Sequence, residues 1–343
     1  MEYEEVLLEL CRTVNQLQDR IIKLEQQNAV LIQGQKQLID WEEQNEQSNL
    51  SFQRNVGYEI QDWMKKDQLE YYPDIRSAEE TINKIVNEHK SLARFGDGEF
   101  STIEGRVRHR FQSEPDERLA QRLKEVLRST EESLLVGVAD NYGSLEKYTE
   151  QAKREIRGYL TPQIRREHLH LLDPQGIYYD AYVTRPYVMY ADNQTDAPAK
   201  RFENLRRMWA DRKCLIVEGN QTRMGIGNNL FDNAAEISRI LCPAENAFRR
   251  YSDILESCLK QPQDTLFLLA LGPTATVLAY DLCRAGYQAL DVGHVDLEYE
   301  WFLRGKGKRT VVNGKYNNEL EEQKTLDEIA DGRYWKQVQE DFS

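Results

Sequence analysis

From Leu7 to Leu38, positions alternately three and four residues apart are almost all apolar: Leu7, Leu10, Val14, Leu17, Ile21, Leu24, Leu31 and Leu38, with Asn28 and Gln35 completing the series. This heptad repeat predicts a helix about 48 Å long whose narrow apolar stripe has to be covered by something. With Leu7, Val14, Ile21, Asn28 and Gln35 at a, every d position is leucine, the combination that favours a parallel two-stranded coil. Asn28 in that seam costs stability but sets register and strand number, and Arg20 at g reaches Glu25 at e of a partner helix. A single amphipathic helix lying on its own domain is the alternative. The restriction of the stripe to a and d favours a homodimer through residues 7–38.

Beyond Trp41 the period fades into a Gln-, Asn- and Glu-rich stretch. The expected organisation is therefore a coiled-coil dimerisation helix (1–45), a linker (46–72) and a catalytic domain (73–343). Ser77 with Glu80 three residues later predicts a capping box opening a helix through about His89. Apolar runs at 134–138, 214–217 and 266–271 end in polar or glycine-bearing loops and precede helical patterns, which predicts an α/β domain with a mostly parallel sheet. Ligands of such sheets gather at the carboxyl ends of the strands.

The net charge of −13 argues against broad nucleic-acid binding. Basic residues do cluster locally, at Arg304, Lys306, Lys308 and Arg309 and at Arg165 with Arg166, either as solvated faces or as anion contacts. The longest apolar runs fall short of a membrane span, and the acidic N-terminus lacks a signal-peptide pattern, so a cytoplasmic protein is expected. Its five cysteines include no Cys-x-x-Cys pair, so idle thiols are expected rather than a disulfide framework or zinc site.

Four segments carry candidate chemistry. In Arg94-Phe-Gly96-Asp97-Gly-Glu99 two carboxylates stand one glycine apart; on extended backbone they point the same way and suit one Mg²⁺ or Mn²⁺. Gly96 and Gly98 leave room for a phosphate, although Asp-Gly is also a common turn. The run from Cys214 to Gly219 leads into a loop holding Arg223, Gly225, Gly227 and Asn228, and a helical stretch at Leu230 would complete a phosphate cradle. Its glycine spacing matches neither the dinucleotide fingerprint nor the P-loop. After Leu271-Gly-Pro, Thr274 is a natural helix cap, with Thr274 and Thr276 as further phosphate or sugar contacts. Read as extended chain, 291–301 places His294, Asp296, Glu298 and Glu300 on one face, a metal or acid/base cluster unless it is a solvated edge. Weaker signals are Asp140 with Asn141, the aromatic run from Tyr178 to Tyr182, and Arg185.

These ordered blocks, including Gly272-Pro-Thr-Ala-Thr276 and Gly293-His-Val-Asp-Leu-Glu-Tyr-Glu-Trp301, resemble bacterial glycosyltransferases of the GT-D fold, a group first defined as a domain of unknown function. The resemblance spans roughly 73–307 and leaves the heptads outside. It implies a Rossmann-like domain, a nucleotide-sugar donor such as UDP-glucose, and a divalent cation on an Asp-x-Glu motif, here Asp97 and Glu99. The family pattern has an aspartate where this chain has Asn229. Arg94, Gly96, Gly219, Arg223, Gly225, Gly227, Asn228, Thr274 and Thr276 would then face the donor, and His294, Asp296 or Glu298 would be the base. The implied acceptor is a glycan on lipid or protein. A metal-dependent phosphoesterase and a nucleotide-sugar-binding coiled-coil scaffold are the competing functions.

Overall fold

Strand residues of the α/β unit send alternate side chains into two separate cores. Leu92, Leu135, Ile216, Leu268 and Leu290 enter one, and Ala93, Val136, Leu215, Phe267 and Ala289 enter the other. A sheet covered on both faces needs near-continuous apolar strands, which explains runs such as Leu134–Val138 and Leu266–Ala270. The computed structural model describes residues 2–64, 71–106, 111–317 and 332–343. The chain divides into two units, Met1–Gln68 and Leu69–Ser343.

The first unit is one helix, α1 (Glu2–Met64). It continues unbroken through 46–64, most of the segment expected to be linker; the remainder of that segment up to residue 70 lies outside the described residues. Leu7, Leu10, Val14, Leu17, Ile21, Leu24, Leu31 and Leu38 are all exposed along it.

The second unit runs β1 (Asp74–Ile75), α2 (Ala78–Asn87), β2 (Ser91–Phe95), α3 (Asp97–Ile103), α4 (Glu117–Leu127), β3 (Leu134–Val138), α5 (Glu150–Tyr159), α6 (Pro162–Leu171) and β4 (Ile177–Asp180). It continues through α7 (Ala197–Arg206), β5 (Lys213–Gly219), β6 (Glu236–Cys242), α8 (Tyr251–Leu259), β7 (Leu266–Ala270), α9 (Pro273–Arg284), β8 (Gln288–Asp291), α10 (Val295–Leu303), α11 (Gly332–Gln337) and β9 (Val338–Asp341). Among the described residues the sheet has nine strands in the order β1-β4-β3-β2-β8-β7-β5-β6-β9, every pair parallel. Helices α2, α7 and α10 contribute to one core, and α3, α4, α5, α8 and α9 to the other.

Ser77 caps α2 as expected, its hydroxyl accepting from Glu80 N at 3.1 Å. Three expectations fail for local reasons. The stretch after β8 is helix rather than strand: Gly293, at φ +47°, turns the chain out of the sheet, and every residue from Val295 to Trp301 is buried. Burial all round is the mark of a core helix, whereas a solvated-edge strand would alternate. The loop after β5 passes through consecutive turns into β6 without a helix at Leu230. Helix α9 starts at Pro273 with Gly272 in the cap position, which leaves Thr274 inside the first turn and no side-chain cap.

Candidate active site

Strands β2 and β8 are neighbours, yet the chain leaves β2 toward β3 on one side, while β8 closes the group formed with β7 on the other. At such a reversal the loops diverge and leave a crevice beyond the carboxyl ends. A cavity of about 450 Å³ occupies that place, within the range of small-ligand sites.

β2 delivers the chain to Gly96 and straight into α3, so Asp97 and Glu99 occupy the first turn of a helix rather than one face of a strand. Half of a capping box starts the helix: Glu99 Oε2 accepts from Gly96 N at 2.8 Å, while Phe100 N donates to Gly96 O at 3.2 Å as the first helical bond. Both carboxylates still line the cavity, with Gly96 and Gly98 between and beside them. Burial raises the Glu99 carboxyl above its ordinary value, and the charge of Asp291 adds to this.

Arg94 is the brace of the crevice. Its Nε and Nη2 donate to Asp291 O and Oδ1, both at 2.7 Å, and Nη1 reaches Ala181 O at 3.4 Å, joining β2, β8 and the turn after β4. Burial raises the Asp291 carboxyl, and the Arg94 guanidinium opposes that rise. Gly293 is required here: a Cβ on it would lie 2.1 Å from Arg94 Nη2.

His294 and Glu298 also line the cavity, but α10 turns them to different partners. Arg185 Nη2 donates to His294 Nδ1 at 3.1 Å, and the Phe111 ring lies 5.6 Å from the imidazole. An arginine only donates, so Nδ1 holds the lone pair and Nε2 the proton. Glu298 Oε2 accepts from the backbone N–H of Tyr187 and Val188 at 3.1 and 3.0 Å. Asn141 donates to Tyr182 OH at 2.9 Å, while its own Oδ1 is buried without a hydrogen-bond partner on the cavity wall. Burial, followed by the charge of Asp97, raises the Tyr182 hydroxyl.

The remaining predicted residues lie outside the lining. Asp296 and Glu300, one helical turn apart, grip Lys315 at 2.5 and 3.2 Å, and Asn228 Nδ2 donates to both at 2.8 and 2.7 Å. Gly225 N also donates to Asp296, at 2.9 Å. Arg223 donates to Gly314 O at 2.9 Å, and Met224 N to Glu218, which pairs with buried Arg239. Two backbone N–H groups of this loop, those of Met224 and Gly225, are thus bonded to β5 and α10, and of the loop only Thr222 lines the cavity. Thr276 donates to Arg94 O at 2.9 Å, and Thr274 is 1% exposed, so both serve the packing of α9.

The fold has counterparts of known structure. A family model described as the glycosyltransferase GT-D fold matches residues 92–320. The chain belongs to that family. The probable glycosyl transferase Gly of Streptococcus gordonii is 34% identical over 270 residues, which is 77% of this chain and 38% of the relative. Glycosyltransferase GlyD of Streptococcus pneumoniae serotype 4 is 34% identical over 285 residues, 82% of this chain and 34% of that protein. The chain therefore spans little more than a third of the length of these relatives. A solved structure described as a new glycosyltransferase (domain of unknown function 1792) from Streptococcus sanguinis superposes with a TM-score of 0.74 at 32% identity, covering 79% of this chain and 100% of that one. Another, described as showing that this highly conserved domain has a distinct glycosyltransferase fold, gives 0.73 at 31%, covering 79% and 96%.

Within this GT-D domain one wall of the cavity escaped the sequence. Ala152, Glu155, Ile156 and Tyr159 of α5 line it together with Arg309. The i, i+3, i+4, i+7 spacing of the α5 residues marks them as one helix face, but that pattern is the same for a core face and for a cavity wall.

For a divalent cation, the described residues hold no converging group of three or more His, Cys, Asp or Glu. Asp97 and Glu99 fit the other mode of Mg²⁺-type binding, in which one or two carboxylates share the ion with substrate phosphates and water. A buried carboxyl raised by a neighbouring carboxylate is also one that a cation would relieve.

Proposed function

We propose that this chain is a metal-dependent glycosyltransferase, moving a hexose from a nucleotide sugar, UDP-glucose or a relative, to a glycan acceptor of cell-surface polysaccharide or glycoprotein synthesis. The observation that carries the reading is the cavity at the β2/β8 reversal, where Asp97 and Glu99 share one space with Arg94, Arg185 and the glycine backbone at 96, 98, 272 and 293. Mn²⁺ or Mg²⁺ held by Asp97 and Glu99 would neutralise the diphosphate leaving group.

Arg185 and the His294 Nε2–H offer donors to the same oxygens. Of the three residues read as bases, Asp296 is committed to Lys315 and Glu298 to two backbone N–H groups. His294 is the one whose bond a substrate competes for: a diphosphate that draws Arg185 away exposes the Nδ1 lone pair to the acceptor hydroxyl. The acceptor oxygen then bonds to the sugar C1, and the electron pair of the C1–O bond leaves with the diphosphate.

The proposal also pairs two copies through residues 7–38, supported by the exposed heptad stripe on α1. It sets the reaction in the cytoplasm, where the free buried thiols Cys214, Cys242, Cys258 and Cys283 would stay reduced. No helix among the described residues is long and apolar enough to cross a membrane.

The test is release of nucleoside diphosphate from UDP-, GDP- and dTDP-sugars with Mn²⁺ or EDTA, with cell extract as acceptor. Release from one donor that needs the ion and drops at least about a hundredfold in Asp97→Ala is expected, the scale of losing one charge-stabilising group. Ion-independent release, or full activity in the variant, overturns the reading.

A further inference from the structure

The two halves of the cavity differ in chemistry. The strand-end half carries arginines, glycine backbone and the Asp97–Glu99 turn, all suited to a diphosphate and its ion. The α5 half has no glycine; it presents Ile156 and the Tyr159 ring, with Glu155 at the rim. Glu155 with its partner Arg309 offers a diphosphate no net positive charge, while a carboxylate and a guanidinium can both bond sugar hydroxyls and apolar side chains suit the C–H face of a pyranose. We infer that the α5 wall is the acceptor subsite, and that it takes a neutral sugar ring on Ile156 and Tyr159 with hydroxyls held by Glu155 and Arg309. This rests on the glycosyl-transfer reading and names the acceptor half of the same site.

The wall is built before any ligand arrives. Arg309 Nη1 donates to both Glu155 oxygens, at 2.9 and 3.1 Å, and so holds the carboxylate at the rim. Tyr159 OH bonds His168 Nε2 at 3.0 Å, and His168 Nδ1 bonds Tyr142 OH at 2.9 Å. The His168 ring, only 1% exposed, stacks on Phe100 with centroids 3.9 Å apart and 18° between planes. Phe100 belongs to α3, the helix that starts with Asp97 and Glu99, so one packing chain ties the wall to the carboxylates. A ring fixed at its hydroxyl loses little entropy when a sugar lies on it.

The experiment measures binding of the methyl glycosides of glucose, galactose and N-acetylglucosamine to the full chain by saturation-transfer NMR and calorimetry, with UDP and Mn²⁺ present. The wild type is expected to bind at least one glycoside. Tyr159→Ala and Glu155→Gln should weaken it at least tenfold, and Tyr159→Phe three- to fivefold, while UDP affinity stays within twofold. No glycoside binding by the wild type, unchanged binding in the variants, or parallel loss of UDP and glycoside overturns the inference. Exclusion of the glycoside by UDP-glucose but not by UDP also overturns it, by assigning the wall to the sugar of the donor. A wild type that binds glycoside through this wall but no nucleotide would instead sink the donor reading and leave a sugar site standing.

Discussion

Two loops of this domain look alike in sequence and do opposite things. The segments that leave β2 and β5 each follow an apolar strand and carry two glycines, with Arg94 at the end of the first strand and Arg223 just beyond the second. The first opens into the cavity with both its carboxylates; the second touches it only at Thr222 and is otherwise folded onto α10, with groups bonded to Asp296, Glu218 and the carbonyl of Gly314. Position in the sheet makes the difference. β2 ends at the reversal beside β8, where chain leaves in two directions, whereas β5 lies between β6 and β7 and its loop is roofed by the segment around Lys315.

The largest effect that separates the loops should come from Lys315→Met, which removes the ammonium shared by buried Asp296 and Glu300 and leaves Glu300 only Arg304 at 3.7 Å. A loss of about 3–5 kcal/mol is expected in urea unfolding, with UDP affinity of the folded protein within twofold. A collapse of UDP affinity without loss of stability would make the second loop part of the site.

The open side answers to pH. Asp180, buried at the end of β4, has its carboxyl raised to about 7 by burial. The folded chain therefore holds a proton that the unfolded chain releases near pH 4, so this stabilisation is full below that pH and is lost as pH rises toward 7. At roughly 1.4 kcal/mol per pH unit, a slope that halves as pH reaches the folded pKa, about 2 kcal/mol disappears between pH 5 and 7. Asp180→Asn keeps an acceptor for Tyr182 N and lacks the titrating group, so the wild-type-minus-variant difference in stability should carry that slope. Parallel pH profiles would show that Asp180 titrates normally.

Gly293→Ala tests the brace. The added methyl collides with Arg94 and sits at positive φ, so donor consumption should fall about tenfold, roughly 1.4 kcal/mol in the barrier. Gly227→Ala in the other loop also meets positive φ, but no atom within 4 Å of the new Cβ. The expected cost is about 1 kcal/mol of stability, read from the melting temperature, with donor consumption unchanged.

Much of the strand framework was visible from apolar runs, because a sheet buried on both faces needs them; Leu134–Val138 and Leu266–Ala270 lie where the runs predicted. Asp97, Glu99, Arg94, Gly96, His294 and Glu298 were also picked out and all line one cavity. The segment after β8 was misread because His294, Asp296, Glu298 and Glu300 alternate with apolar residues, and period two is indistinguishable from a helix buried on every side until burial is known. Asn141, Tyr182 and Arg185 looked like minor signals, since nothing local distinguishes a cavity wall from a packed rim.

The sequence by itself determined where the chain turns, which strands are fully buried, the heptad stripe of α1 and the family that the ordered blocks resemble, since each depends on residues close together along the chain. Only the tertiary structure decided which carboxylates line the cavity and which meet a lysine. Asp296 and Lys315, Arg94 and Asp291, and Tyr159 and His168 come together through strand order and helix packing. Charge and hydrogen bonding depend on those distances, which residue spacing along the chain does not encode.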